Sequence, residues 1–559
     1  MNPEVGTGTT QEPVTQAPAP PGALKHDRSG FAPLHIPLFR NRWIASTVSG
    51  LGTWMQDTAA TWLMTALTGS PLLIALMQTA ASAPVLLLGL LAGATADIFE
   101  RRRLLLFWQS WQLVSVALLA ILAFLGVIGP WTLLALTFLM NIGSAMNNPA
   151  WQAIVPELVP REQLPDAVSL SSASNNLARA VGPAMSGLMV AAFARAVTGA
   201  GWVFALNAGS FVAVIWVLYT WKRTPLFKSA LPAERVAGCA TTGLRFLRYS
   251  PPIQAAYIRA FIFTFFVSAV WSLLAVVAAR EFPTRGALGY GILNGAMGLG
   301  ALTGAISLAQ VRARWKADQI LLTASIAFVA VAAVLAFIHK PWIIVLFLLM
   351  GGFAWTCTMS TLNTSVQLLS PGWVSARTLG MYQMVFQGGL ALGSILWGSI
   401  AEHTNIRIAF SVCGAGLALS IPLTRRLHVL RGKLPDHTPY QWRNPVPHLE
   451  LEPEPEDGPV RVVIQYIVRE EDREAFVRAM HKLRYARLRS GAIRWGIFRD
   501  ANDPEQFEET FVMESWLEYL RSRERMTAAD FALIERVRSL HSGTEPPRVS
   551  HQVYAKERE

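Results

Sequence analysis

The chain has 559 residues, 52% of them hydrophobic and only 15% charged, and its 48 Lys and Arg against 36 Asp and Glu leave a formal net charge of +12. A mean hydropathy of +0.35, with so little charge, lies outside the soluble globular range, where charge is nearer a quarter of residues. The positive charge collects beside apolar stretches, where it sets topology in a membrane, so a nucleic-acid partner is not indicated. Cys239, Cys357 and Cys413 are far apart, which argues against both a disulfide framework and a metal site.

Residues 1–30 are rich in Pro, Thr and Ala and lack the basic start and apolar run of a secretory signal, so a disordered tail is expected. From residue 43 to 424 come eleven or twelve apolar stretches, each of about 20 residues, the length that crosses a bilayer core. In a first half, residues 31–221, helices are expected at 43–67, 71–95, 104–126, 131–152, 165–193 and 200–221. Arg101, Arg102 and Arg103 follow the second of these, and Lys222, Arg223, Lys228, Arg235, Arg245 and Arg248 crowd a central loop at 222–253. The connections at 68–71 and 126–130 are uncharged. Basic residues beside spans stay in the cytoplasm. The expectation is a multi-pass protein of the bacterial plasma membrane with both termini and the central loop cytoplasmic.

A second half, residues 254–424, predicts helices at 254–280, 286–310, 318–338, 341–362, 374–400 and 406–424. Arg312, Arg314 and Lys316 stand where the triple arginine stands in the first half, while Arg195, Arg280, Arg285, Lys340 and Arg407 fall on the opposite side against the rule. The halves also repeat in detail. Phe138, Leu139, Gly143 and Pro160 parallel Phe347, Leu348, Gly352 and Pro371, and Gly182 and Gly187 have counterparts at equal spacing in Gly393 and Gly398. Two related six-helix halves imply a pseudo-two-fold architecture with the substrate path between them.

Ionisable groups inside apolar helices are costly and usually face a wet cavity or a partner. Asp57, Arg179 and Arg259 are therefore the proton-coupling candidates, Asp57 first because a carboxylate gains and loses a proton as its surroundings alternate. The alternatives are a fixed Asp57–Arg179 ion pair and an Arg259 that snorkels to the cytoplasmic face. Glu402 and His403 fall at the outer end of their helix and carry little functional weight. Trp54, Trp62, Trp151, Trp271 and Trp355 are candidates to line a cavity for a large, partly aromatic ligand, the alternative being helix packing.

Gly93, Asp97, Arg101 and Arg102 close the second helix, where an aspartate at the membrane edge can accept hydrogen bonds from a helix N-terminus or pair with arginine, and so latch one conformation. This run resembles the signature of the major facilitator superfamily between its second and third helices. Ile98 and Glu100 depart from that signature, and the matching loop of the second half has no aspartate. Gly182, Pro183 and Gly187 resemble the glycine-proline motif in the fifth helix of superfamily exporters. Ser49, Gly52, Trp54, Thr61, Trp62, Leu67 and Pro71 resemble the transmembrane secretion effector branch, which includes the exporter of the siderophore enterobactin. The resemblance implies export of a siderophore, drug or similar hydrophobic metabolite, driven by protons and using no cofactor.

Past a Pro- and acid-rich linker (425–459) the composition changes abruptly. Strand patterns at 460–468, 494–499, 507–514 and 548–555, with helices at 470–489 and 515–539, predict a ferredoxin-like βαββαβ domain at 460–559. It resembles the domain of antibiotic-biosynthesis monooxygenases, which implies pairing with a second copy through the sheet. An enzyme reading of this tail would draw on Trp495, Trp516, His541 and His551. The fold class expected is an all-α membrane protein of twelve spans with an α+β tail. The expected function is secondary active export by proton antiport, in contact with a small-molecule substrate and the lipid bilayer and with no enzyme activity. Its rivals are a membrane-tethered cofactor-independent monooxygenase coupled to export and a transporter-like ligand sensor.

Overall fold

A computed structural model describes residues 31–160, 163–220, 236–430, 435–440 and 453–555. The tail at 1–30, the loop residues Lys222, Arg223, Lys228 and Arg235, and linker residues 441–452 lie outside the described residues. Twelve long helices carry the chain through its first three quarters: α1 (Pro37–Leu67), α2 (Pro71–Ile98), α3 (Arg101–Phe124), α4 (Pro130–Leu158), α5 (Leu164–Ala191) and α6 (Ala196–Thr220), then α8 (Pro251–Glu281), α9 (Gly286–Arg314), α10 (Ala317–Phe337), α11 (Pro341–Leu369), α12 (Ser375–His403) and α13 (Ile406–Arg425). A shorter α7 (Val236–Arg248) joins the sets, where the sequence had suggested only a loop. Proline opens α1, α2, α4, α8 and α11, the position where its missing N–H costs nothing.

Among the described residues nine helices are long and apolar enough to cross a membrane by length and composition. The twelve crossings expected from the sequence are reduced to nine on that test, because α1, α4 and α5 are diluted by polar side chains. Asp57, Asn141 and Arg179, one on each of these helices, face the space between the halves.

The packing repeats. In the first half α1 packs on α5 and α6, α2 on α4, and α3 on α4 and α6; in the second α8 packs on α12 and α13, α9 on α11, and α10 on α11 and α13. Two crossed pairs join the halves, α2 with α12 and α5 with α9. The repeated glycines sit at equivalent places. A methyl on Gly182 would lie 2.7 Å from Trp54 Cβ of α1, and one on Gly393 would strike α8 at Phe265 and Ser268. A methyl on Gly187 would lie 2.9 Å from Gly291 Cα of α9, and one on Gly398 2.5 Å from Ala75 Cβ of α2. One glycine of each pair thus lets α5 or α12 approach its own half, and the other lets it approach the opposite half.

The arginine-rich loops define a basic end of the bundle, the short uncharged connections a bare end. Arg102 Nε donates to the Leu218 carbonyl (3.0 Å) and Arg102 Nη2 to that of Tyr219 (2.7 Å), tying α3 to the electronegative C-terminus of α6. Two exceptions at the bare end are engaged: Arg280 Nε lies 2.6 Å from Glu281, His339 Nδ1 2.9 Å from the same carboxylate, and Arg407 Nη2 2.8 Å from His339 Nε2.

The tail folds as β1 (Val460–Ile467), α14 (Arg473–Ser490), β2 (Arg494–Arg499), β3 (Gln506–Met513), α15 (Trp516–Glu524), α16 (Ala528–Arg538) and β4 (Arg548–Val553). Its antiparallel sheet has the order β2-β3-β1-β4, the ferredoxin-like arrangement. The single helix expected over 515–539 is two, because Thr527 stops one and caps the next, its Oγ1 accepting from Asp530 N at 3.3 Å. Phe476, Met480, Leu483 and Trp516 are buried against the sheet, each contributing about 2 kcal/mol of apolar transfer. On the same face Glu509 is fully buried, accepting from Arg487 Nε (3.1 Å) and Trp495 Nε1 (3.0 Å). Burial alone would lower the Arg487 pKa, yet the Glu509 charge holds it above the ordinary value.

The tail rests on the second half. Tyr249 packs into its core, Arg245 Nη1 donates to the Gly491 carbonyl at 2.8 Å, and the Arg525 guanidinium lies 5.2 Å from the ring of Trp373, in the α11–α12 connection. Phe246 of α7 is buried with Ile253, Leu362 and Val374 of that half. Residues 435–440 strap along the tail: Ala528 N donates to Thr438 O, Tyr440 N to Met526 O, and Tyr440 stacks on Phe531 at 3.7 Å.

Candidate functional site

A cavity of about 340 Å³ lies between the halves, within the usual size of a small-molecule site. Its two walls differ in chemistry. The first half contributes Trp54, Asp57, Gln78, Asn141 and Arg179; the second contributes Trp271, Tyr290, Trp355, Phe386, Gln383 and Gln387. Both charged side chains of the lining therefore stand on one wall, and most of the aromatic surface on the other.

On the first wall Gly182 lets α5 approach α1 closely enough for Trp54 to lie beneath Arg179, whose guanidinium carbon is 5.2 Å from the indole centre. Such a contact stabilises a cation through the ring's negative face. Among the described residues no salt bridge joins Arg179 to Asp57, so the fixed pair considered from the sequence is not formed. On the second wall Trp271 and Trp355 meet edge to face at 5.5 Å, and Trp355 reaches Phe386 at 5.7 Å. Arg179 Nε, Thr137 Oγ1, Trp271 Nε1 and Ser272 Oγ, all from cavity-lining residues, are buried without a hydrogen-bond partner. Buried polar atoms are normally satisfied, so these suit a polar ligand or water.

The remaining sequence candidates lie elsewhere. Trp62 stacks on Tyr290 at 6.1 Å and is not in the lining. Trp151 lies under Arg42 (4.5 Å) and borders a separate polar cavity of about 190 Å³ inside the first half. Arg259 is ion-paired with Asp318, in the first turn of α10 at the basic end, and is not in the lining of the central cavity. Pro183 lines the cavity and Gly187 the crossed α5–α9 contact. Gly93 lies near the end of α2, and Asp97 in its last turn, but the Asp97 side chain lies outside the described residues. The sequence reading missed Gln78, Asn141, Asn294, Gln383 and Gln387. Their signal, an amide inside an apolar helix, was present.

Two pseudo-symmetric helical lobes around a partly polar cavity define a membrane transporter of the major facilitator type. The chain belongs to the transmembrane secretion effector family, whose match spans residues 28–559. It is 26% identical over 408 residues to the uncharacterised MFS-type transporter YfiS of Bacillus subtilis (strain 168), covering 68% of this chain and 93% of that one. It is 28% identical over 404 residues to the multidrug efflux pump Tap of Mycolicibacterium fortuitum, covering 68% and 91%. Over 144 residues it is 29% identical to the staphyloferrin A transporter of Staphylococcus aureus (strain NCTC 8325 / PS 47), covering 26% and 36%. The crystal structure of the nucleoside transporter NupG superposes with a TM-score of 0.56 at 11% identity, covering 70% of this chain and all of that one. The family and these relatives are transporters, not enzymes.

Proposed function

We propose that the chain spans the plasma membrane twelve times, basic end and both termini cytoplasmic, and exports an amphipathic small molecule by alternating access. The single observation carrying this is the cavity's divided lining, with Asp57 and Arg179 on one wall and the Trp271–Trp355–Phe386 surface on the other. Such a pocket suits a molecule with a polar head and an apolar or aromatic body, a class that includes drugs, siderophores and hydrophobic metabolites. The family and the efflux relatives support the outward direction.

Asp57 exchanges protons with the two sides in turn. Antiport requires that substrate and proton disfavour each other's binding, and a carboxylate that both meet in one cavity supplies that linkage. Rocking about the crossed helix pairs exposes the cavity to one side and then the other. Asp97 and Arg101 hold the basic end closed in one state. The driving force is the proton gradient, with no resident cofactor.

The tail serves as a binding or pairing module, its open sheet face carrying Arg461, Arg494 and the exposed Phe498 toward a second copy. The groups an enzyme reading would need are engaged: Trp495 with Glu509, His551 with Tyr519 at 2.7 Å, and His541 with Ile467 N at 2.9 Å. The test is metabolite profiling inside and outside cells with and without the protein, followed by uptake of the identified compound into inverted vesicles under an imposed pH gradient. Gradient-dependent uptake is expected; binding without accumulation would favour a sensor.

A further inference from the structure

We infer that Glu402 is a second latch, which holds the bare end of the bundle closed by capping a helix of the opposite half. It stands in the last turn of α12, where a helix's own macrodipole disfavours an anion. The compensation comes from α2. Glu402 Oε2 accepts a hydrogen bond from Ser70 Oγ at 2.8 Å and from Leu72 N at 3.2 Å, so a carboxylate of the second half caps the N-terminus of the first half's α2.

The capping is shared out completely. Pro71 has no N–H to satisfy, Leu72 N donates to Glu402, Leu73 N to the Ser70 hydroxyl at 3.2 Å, and Ile74 N to the Ser70 carbonyl. One turn along the same seam a methyl on Gly398 would meet Ala75, and two turns further Thr79 Oγ1 donates to the Ala391 carbonyl at 3.1 Å. Separating α2 from α12 at this end would leave Leu72 N without its partner and return Glu402 to the unfavourable end of its own helix. The contact is favourable only in the closed arrangement.

Antiparallel packing gives the latch a mirror image. α2 carries Asp97 in its last turn at the basic end, the end at which α12 begins, and Val374 supplies no side-chain cap there. Each helix of the crossed pair therefore bears an acidic residue in its last turn. Glu402 holds the state described here, and the Asp97 latch holds the opposite one.

This inference rests on the alternating-access reading, and its test follows exposure of the cavity instead of flux. In a background lacking Cys239, Cys357 and Cys413, Gln78→Cys in the cavity wall is labelled by a membrane-impermeant thiol reagent presented to the bare end (cells) or the basic end (inverted vesicles). Glu402→Gln, Glu402→Ala and Ser70→Ala are expected to raise labelling from the bare end about two- to five-fold, the range for a carboxylate at a helix N-terminus, and to lower it from the basic end. Unchanged labelling in all three overturns the latch, and so does a rise from both ends, which marks loosened packing. A Ser70→Cys with Glu402→Cys pair, cross-linked before labelling, should abolish bare-end labelling; labelling that persists also overturns it. A chain that gates in this way but moves no metabolite strikes the exporter reading and leaves the latch standing.

Discussion

The two lobes share one packing plan and treat charge in opposite ways. In the second half two sets of ionisable groups are paired: Arg259 with Asp318, and Glu281 with Arg280 and His339. In the first half Asp57 and Arg179 face the cavity with no salt bridge between them, and Arg179 rests on an indole instead of a carboxylate. A charge held in low dielectric without a counterion is expensive. The contrast is what the proposed coupling role of Asp57 rests on: paired charges are assigned to stability and the unpaired ones facing the cavity to transport.

That contrast breaks if substitutions on the two sides behave alike. The largest effect is expected from Asp57→Asn, which should reduce pH-gradient-driven transport in vesicles at least about tenfold, as loss of an essential proton carrier does, with the melting temperature in detergent unchanged. Normal transport in that variant would remove Asp57 from coupling. The tail supplies a matched charge outside the helical bundle. Glu509→Gln strands a buried Arg487 and should cost about 3 kcal/mol, seen as early melting of the tail with the bundle's transition intact. Arg259→Leu should lower the bundle's stability by about 2 kcal/mol, discounted because Asp318 is partly exposed, while transport per folded molecule stays near normal. The smallest change is expected from His339→Ala, where an exposed contact contributes no more than about 0.5 kcal/mol; a transport defect there would erase the distinction between the lobes.

Much of the fold was legible because two periodicities dominate: long apolar runs for the bundle, and alternation with turn residues for the sheet. Helix starts at Pro71 and Pro341 fell where expected, while Pro130, expected to end a connection, opens α4. α7 was not, since 13 residues in a basic loop have too little apolar length to register beside spans of twice the size. The cavity was legible through its charges and only partly through its aromatics. Trp54, Trp271 and Trp355 lie in the lining while Trp62 and Trp151 do not, because a tryptophan's face on its helix depends on which neighbour packs there. The Arg259–Asp318 pair was hidden because Asp318 sits just past the basic run at the start of α10, two helices on and 59 residues away in sequence. Glu402 was passed over for a related reason: its partner is the backbone of α2, and no residue type announces a free N–H.

The tail is mounted on α7 and the α11–α12 connection through Arg245, Tyr249 and Trp373, which under the proposed rocking motion would make the second half a stator and the first a rotor. If two chains join through their sheet faces, the lobes they clamp together are the second halves, and each first half remains at liberty to swing. Such a dimer would share a rigid keel without forcing its two pumps to stroke in time.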